Sequence, residues 1–214
     1  MNYQHYFFDF DGTLADSKKC VIQAVQEAFQ RKGLTQPSPQ VILNFMGIPI
    51  EASFPQMSDQ SLSPEQLEDL FADFRSAMVA YEPEGLEVYP HIHQVLEQLQ
   101  AQGRHLYIVT SKAGPALERN LHLLNLSHYF TDKISSDQVS HYKPHPESLV
   151  TLLERHQLDP AHCLMIGDAT FDIDMGNAAG VATCAITWGS HDRAQLLASK
   201  PLHVVESALD LLTL

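Results

Sequence analysis

Positive charge is scarce in this chain. Lysine and arginine number 13 against 26 aspartates and glutamates, for a formal net charge of −13. So acidic a surface repels nucleic acid and anionic membranes, which excludes both as natural partners, and it concentrates divalent cations. Cysteine is nearly absent. Cys20, Cys163 and Cys184 are scattered and odd in number, which excludes a disulfide scaffold and fits a reducing compartment. The 214 residues hold no bilayer-length apolar run, no leader pattern, no repeat and no low-complexity tract. The expectation is a cytoplasmic protein with one core domain of ordinary size and a smaller second unit. Its oligomeric state is not written in the sequence.

What is present begins with Phe7-Phe8-Asp9-Phe10-Asp11-Gly12-Thr13-Leu14-Ala15-Asp16-Ser17. An apolar, aromatic-rich run reads as a strand, and it ends in two acids one residue apart. Side chains at i and i+2 point the same way at a strand end, so Asp9 and Asp11 face a common site. Paired acids oppose folding by repulsion. They make chemical sense if a divalent cation sits between them, or if one attacks while the other moves a proton. A calcium loop of the EF-hand type fits worse, because no third acid precedes Gly12 and the twelfth loop position is Cys20 instead of glutamate.

Three later segments offer matching parts. Residues 104–109 read as a buried strand leading into Thr110-Ser111-Lys112, where a hydroxyl can donate to a phosphoryl oxygen. Ser111 also suits a helix N-cap for a pattern over 113–124. In His141-Tyr142-Lys143-Pro144-His145-Pro146-Glu147, Pro144 forces an extended Lys143 and is expected to start the next helix. His141 and His145 flank that lysine. The two prolines argue against the single helical turn that would align them, which disfavours zinc. The fourth segment, Cys163-Leu164-Met165-Ile166-Gly167-Asp168, ends a strand at Gly167, with Asp172 one helical turn further on. Gly176, Ala178 and Ala179 are small enough for that helix to pack closely.

Taken in order, the four segments resemble the haloacid dehalogenase superfamily, in the helical-cap subgroup that includes phosphoglycolate phosphatases. The resemblance covers Asp9 to Gly180. It implies an α/β fold, a doubly wound parallel-sheet (Rossmann-like) core with an inserted all-helical cap. It implies that Asp9 is a nucleophile forming an aspartyl phosphate, and that Asp11, which true dehalogenases lack, is a general acid/base. Thr110 becomes the phosphate contact, and Lys143 screens charge between nucleophile and phosphate. Mg²⁺ is the implied cofactor, with Asp9, Asp11, Asp168 and Asp172 as metal residues. Asp172 either completes the coordination sphere or holds Lys143. Position 169 is alanine where some relatives carry a second acid, which leaves more of the metal sphere to water. Gly12, Gly47, Ser111 and Lys112 are the substrate-binding candidates.

Between residues 16 and 83 the strand–helix alternation stops. Val21, Ala24, Val25, Ala28 and Phe29 recur at helical spacing, Ser38-Pro39 opens a short helix, and Ser63-Pro64-Glu65-Gln66 is a capping box before a longer one. This predicts a cap over 16–83 and a core over 1–15 and 84–214. Gly47-Ile48-Pro49-Ile50 reads equally as a rigid apolar turn contacting the leaving group or as a simple interhelical turn. A lone tryptophan is more often packing than contact, but Trp188, after a strand at 181–187, is also a candidate wall of the site. From Gly33 to Gln102, Arg75 is the only lysine or arginine. A cap that clamped a second phosphate would offer more cations. Pyrophosphate and sugar bisphosphates are therefore disfavoured unless Lys18, Lys19, Lys112 or Arg193 reaches in.

The expected function is Mg²⁺-dependent hydrolysis of a small phosphomonoester, with a small phosphorylated metabolite as partner. A phosphomutase or a pyrophosphatase on the same scaffold is the alternative. A receiver-type signalling domain would be shorter, would lack the helical insert and would not need Asp11. A silent binding scaffold would have no reason to keep Asp9 and Asp11 together.

Overall fold

Strand β1 (His5–Phe8) is the central thread of the molecule, and its alternation shows why. Tyr6 and Phe8 point to one face of the sheet and Phe7 to the other, each into a separate apolar cluster. A strand buried on both faces belongs in the middle of a parallel sheet. In this computed structural model, which describes residues 3–214, it occupies that place. The first two positions of the expected segment 1–15 lie outside the described residues.

After β1 the chain turns through Gly12, at φ +84°, into the short strand β2 (Ala15–Asp16). Four helices follow: α1 (Lys18–Arg31), α2 (Pro39–Asn44), α3 (Ile50–Met57) and α4 (Pro64–Gly85). Ser38 caps α2, and Ser63 with Gln66 closes the capping box of α4. The chain then returns through β3 (Glu87–Val88), which pairs antiparallel with β2. The expected helical insert is present. It includes α3, whose first residue Ile50 closes the turn expected at 47–50, with Pro49 standing just before the helix. The insert has its own core, in which Phe54 packs edge-on against Phe29 and Phe74 at ring distances of 5.6 and 5.2 Å.

Beyond β3 the alternation resumes: α5 (Ile92–Ala101), β4 (His105–Val109), α6 (Gly114–Leu123), β5 (Asp132–Ile134), α7 (Glu147–Arg155), β6 (Cys163–Gly167), α8 (Thr170–Ala178), β7 (Ala182–Ile186), α9 (Arg193–Ala198) and β8 (His203–Val205). A 3₁₀ turn over Ala208–Thr213 follows β8. The six-stranded sheet runs β5-β4-β1-β6-β7-β8, and every pairing in it is parallel. This is the α/β core with an inserted helical unit that the motif order implied. No helix among the described residues is long and apolar enough to cross a membrane.

Helix α8 must lie close to β6 and β7 for its first turn to reach the strand ends. Gly176 permits this: a Cβ there would stand 2.5 Å from Thr183 Cγ2 and 3.1 Å from Met165 Cβ. Ala178, expected to share that role, is exposed. Gly176→Ala is therefore expected to cost about 1–3 kcal/mol through overpacking. Denaturant unfolding checks this, and an unchanged midpoint would contradict the close approach.

Candidate active site

Because β1 lies between β4 and β6, the C-terminal ends of these strands deliver Asp9, Thr110 and Asp168 to one edge of the sheet. Open α/β sheets bind ligands at such an edge. Lys143 enters from the loop before α7, and Asp172 from the first turn of α8. The buried Lys143 ammonium donates to Asp9 Oδ1 at 2.7 Å and to Asp172 Oδ1 at 2.6 Å. The other Asp172 oxygen accepts from the Ala169 amide at 3.1 Å. Of the two roles foreseen for Asp172, the Lys143 contact is the one seen. Asp168 is fixed by Thr13 Oγ1 at 2.9 Å on Oδ1, and by the Ser190 amide and hydroxyl at 2.7 and 2.6 Å on Oδ2.

Three glycines make room for these carboxylates. A Cβ on Gly12 or Gly189 would collide with Asp168 at 2.3 or 2.0 Å, and one on Gly167 with Asp172 at 2.3 Å. Gly12 was proposed as a substrate contact; its visible role is to let the carboxylate approach.

The electrostatics call for a cation. Ligand oxygens of Asp9, Asp168 and Asp172 lie within 4.8 Å of one another. With all three ionised against the single Lys143 ammonium, two negative charges stay uncompensated in a buried place. Burial, only partly offset by Lys143, accordingly pushes the Asp9 carboxyl up to about 7. Asp168 is raised by burial and by the Asp9 charge. Asp172 is raised by burial despite Lys143. Burial works against the Lys143 ammonium as well, but the charges of Asp172 and Asp9 outweigh it and hold its pKa above the ordinary value. A hard divalent cation with oxygen ligands matches both the donor set and the missing charge. The Asp11 side chain stands outside this cluster. It pairs through Oδ2 with Lys112 at 3.0 Å, while its buried Oδ1 has no hydrogen-bond partner.

A cleft of about 450 Å³ opens from Asp9, Asp11 and Thr110 toward the insert, where Phe45, Ile48 and Met57 are among its walls. Ser111, Lys112 and Gly47 line it as well. Gly47, at φ +92°, stands where an added Cβ would meet Phe171 and Ala169 at 3.6 and 3.7 Å, close to the acids. Lys112 is the cation foreseen from sequence that reaches this space. Lys18 instead donates to the Trp188 carbonyl, and Arg193 pairs with Glu206. Arg119, unforeseen, also lines the cleft and grips buried Glu82 of α4 bidentately at 2.7 and 2.9 Å. Arg75 pairs with Glu51 at 2.8 Å. Each cation on the cleft is thus already matched with a carboxylate.

Several local expectations need correction. Pro144 does not start a helix: α7 begins at Glu147, because Pro144 and Pro146 both sit in the turn before it. Ser111 is not an N-cap. Ala113 takes that position in α6, where Asp137 Oδ1 accepts from the Gly114 amide at 2.8 Å. Of the two roles open to Trp188, packing is the one seen, and it does not line the cleft. It packs on Tyr89 and donates through Nε1 to the Thr13 carbonyl at 3.2 Å, which steadies the first loop. Ser190 was missed, although its place after β7 follows the same strand-end logic as the others. Nothing local marks Arg119.

Residues 6–186 match the family model of the haloacid dehalogenase-like hydrolases. A protein of Oceanobacillus iheyensis named pyrophosphatase PpaX is 29% identical over 214 residues, covering 100% of this chain and 97% of its own. A solved haloacid dehalogenase-like family hydrolase of Streptococcus pneumoniae superposes with a TM-score of 0.86 at 31% identity, covering 99% of this chain and 97% of its own. A Haemophilus somnus structure described as a predicted phosphoglycolate phosphatase shares the fold, with a TM-score of 0.89 at 24% identity, covering 100% of this chain and 98% of its own.

The pKa directions give a stability test. A carboxyl raised from 3.8 to about 7 contributes stability while protonated and loses it as pH rises through that interval. The metal-free protein is therefore expected to lose stability on this account between about pH 4 and 7. Mg²⁺ should raise the unfolding temperature more at pH 8 than at pH 5. Thermal unfolding with Mg²⁺ and with EDTA checks it; equal shifts at both pH values would refute the uncompensated charge.

Proposed function

The chain belongs to the haloacid dehalogenase-like hydrolases, and we propose that it is a Mg²⁺-dependent phosphatase acting on a small phosphomonoester through an aspartyl phosphate. The observation that carries this reading is the Asp9–Lys143–Asp172 contact beside Asp168, with Asp11 and Thr110 at the mouth of the cleft. Lys143 holds Asp9 Oδ1 and leaves Oδ2 to attack phosphorus in line with the leaving oxygen. The Thr110 hydroxyl accepts from the Lys112 amide at 3.1 Å, so its proton is free to point at a phosphoryl oxygen. Mg²⁺, held by Asp9 and Asp168 with Asp11 and Asp172 beside them, would neutralise charge on the phosphoryl group.

Asp11 donates its proton to the leaving oxygen and then takes one from the water that opens the aspartyl phosphate. Lys112 pairs with Asp11 Oδ2 in the structure as it stands. A bound phosphate draws Lys112 toward itself and weakens that pair, which frees Asp11 to carry the proton. Substrate binding and general acid catalysis are then one event.

In this reading residues 16–83 form a cap over a core of 1–15 and 84–214, and cap closure excludes water from the aspartyl phosphate. The cytoplasm, where Mg²⁺ and phosphorylated metabolites are abundant, is the proposed setting. The name of the Oceanobacillus relative favours a second reading, pyrophosphate hydrolysis. Lys112 and Arg119 supply cations for it, but both are engaged by Asp11 and Glu82, which favours the monoester.

Phosphate release should be measured on phosphoglycolate, pyrophosphate, sugar phosphates, nucleotides and an aryl phosphate. Turnover should require Mg²⁺, and Asp9→Asn should lower kcat by at least roughly 10³-fold, as loss of a nucleophile does. Pyrophosphate outpacing every monoester would put the second reading first. Activity surviving in Asp9→Asn would sink the covalent route. Lys112→Met is expected to lower kcat as well as to raise KM, because it removes the cation that pairs with Asp11 and faces the phosphoryl group across the cleft. A change in KM alone would reduce Lys112 to a binding contact.

A further inference from the structure

The turn that delivers Lys143 carries a second group of donors on its outer side. From sequence, the prolines at 144 and 146 argue against bringing His141 and His145 together. The turn does so without a helix. Their rings stack with centroids 4.5 Å apart and planes 30° from parallel. Glu147, the first residue of α7, completes the group: donor atoms of His141, His145 and Glu147 all lie within 4.8 Å of one another.

The carboxylate is held in place before any ligand arrives. Its oxygens accept from the amides of Ser140 at 2.9 Å and His141 at 2.8 Å, and from His141 Nδ1 at 2.7 Å. The Glu147 amide in turn donates to His145 Nδ1 at 3.2 Å. The two histidines are exposed, with 64% of the His141 side chain open to solvent, so a solute ion reaches them without opening the fold.

We propose that His141, His145 and Glu147 form a surface site for a borderline divalent cation of the Zn²⁺ class, separate from the carboxylate site at Asp9. Two imidazoles and one carboxylate favour Zn²⁺ or Co²⁺ over Mg²⁺, which prefers oxygen ligands and keeps its waters. Zinc bonds to nitrogen and oxygen of about 2.1 Å place tetrahedral ligands about 3.4 Å apart. The donor atoms, now within 4.8 Å of one another, close to that spacing on binding. The metal takes the place of the proton between His141 and Glu147, and a neutral His141 ring carries that proton on Nε2 instead. Water fills the fourth position. The site lies on the loop that sends Lys143 inward, two residues from each histidine.

Co²⁺ titrated into the untagged full chain under excess Mg²⁺ tests the site. A nitrogen-ligated tetrahedral ion absorbs intensely in the visible, whereas an all-oxygen octahedral site absorbs weakly. The expected result is an intense band that Zn²⁺ bleaches. Each of His141 and His145, replaced by Ala and separately by Gln, should weaken Co²⁺ binding at least tenfold, with the unfolding temperature in EDTA unchanged. The Gln variants keep a polar group in the turn and so separate loss of a ligand from loss of the loop. No intense band in the wild type, or wild-type titrations in the variants at both positions, would overturn the proposal.

Discussion

A lysine ammonium buried between two carboxylates governs the rest of this structure. Removing one member of such a group leaves an unpaired buried charge, which typically costs about 3–5 kcal/mol. Lys143, Asp9 and Asp172 come from three distant parts of the chain, so the contact ties the first strand, the loop before α7 and the first turn of α8 together. It does not balance. Asp168 adds a third carboxylate, and folding alone gives no reason to collect so many acids around one cation. The local architecture is shaped to tolerate them. Gly12, Gly167 and Gly189 remove the Cβ atoms that would collide, while Thr13, Ser190 and the Ala169 amide supply hydrogen bonds that hold both oxygens of Asp168 and one of Asp172. Fixed donors and a charge deficit together describe a site built to receive a cation and an anion at once.

The helical insert obeys a different rule. Phe29, Phe54, Leu70 and Phe71 give it an apolar core of its own, and the β2–β3 ribbon is where the chain leaves and re-enters the sheet domain. It is not separate from the sheet, however: Cys20, Ala24, Ala77 and Met78 of α1 and α4 are buried in the same apolar cluster as Phe8, Phe10 and Leu14. Nearer the cleft, Glu82 is gripped by Arg119. Opening the seam between insert and sheet domain would expose apolar surface as well as break that ion pair. Glu82 is almost wholly buried while its partner is about two-fifths exposed, so separating them leaves the carboxylate, more than the guanidinium, short of a partner. The seam resists opening through that asymmetry.

The chemistry at strand ends was legible because it is local. Asp9 and Asp11 two apart, Thr110 after one strand and Asp168 after another need only the period of a strand and the edge rule of parallel sheets. The insert was legible from helical spacing and from the Ser63 capping box. What escaped depends on tertiary approach. Arg119 and Glu82 lie 37 positions apart with nothing in either neighbourhood to link them. Prolines misled in two opposite ways: Pro144 was read as a helix start, when with Pro146 it shapes a turn before α7. The pair was also read as keeping His141 and His145 apart for want of a helical turn, and that same turn brings their rings together without one. Ser111 lost the capping role because helix α6 starts further on, where Asp137 arrives from another loop to receive the Gly114 amide.

Charge also bears on what the cleft selects. With Lys112, Arg119 and Arg75 each matched to a carboxylate, the cleft away from the acid cluster has little net attraction for an anion. A second phosphate must compete with Asp11 and Glu82 for donors that are already used. It is not impossible for Arg119, which spends Nε and one Nη on Glu82 and keeps further N–H groups. The exchange still sets two anions around one guanidinium. An uncharged leaving group faces no such competition and meets Phe45, Ile48 and Met57 directly. Under the proposed function the core transfers the phosphoryl group and the insert selects its source. Sequence change confined to residues 45–57 would then alter the leaving group accepted without disturbing the buried lysine on which the chemistry rests.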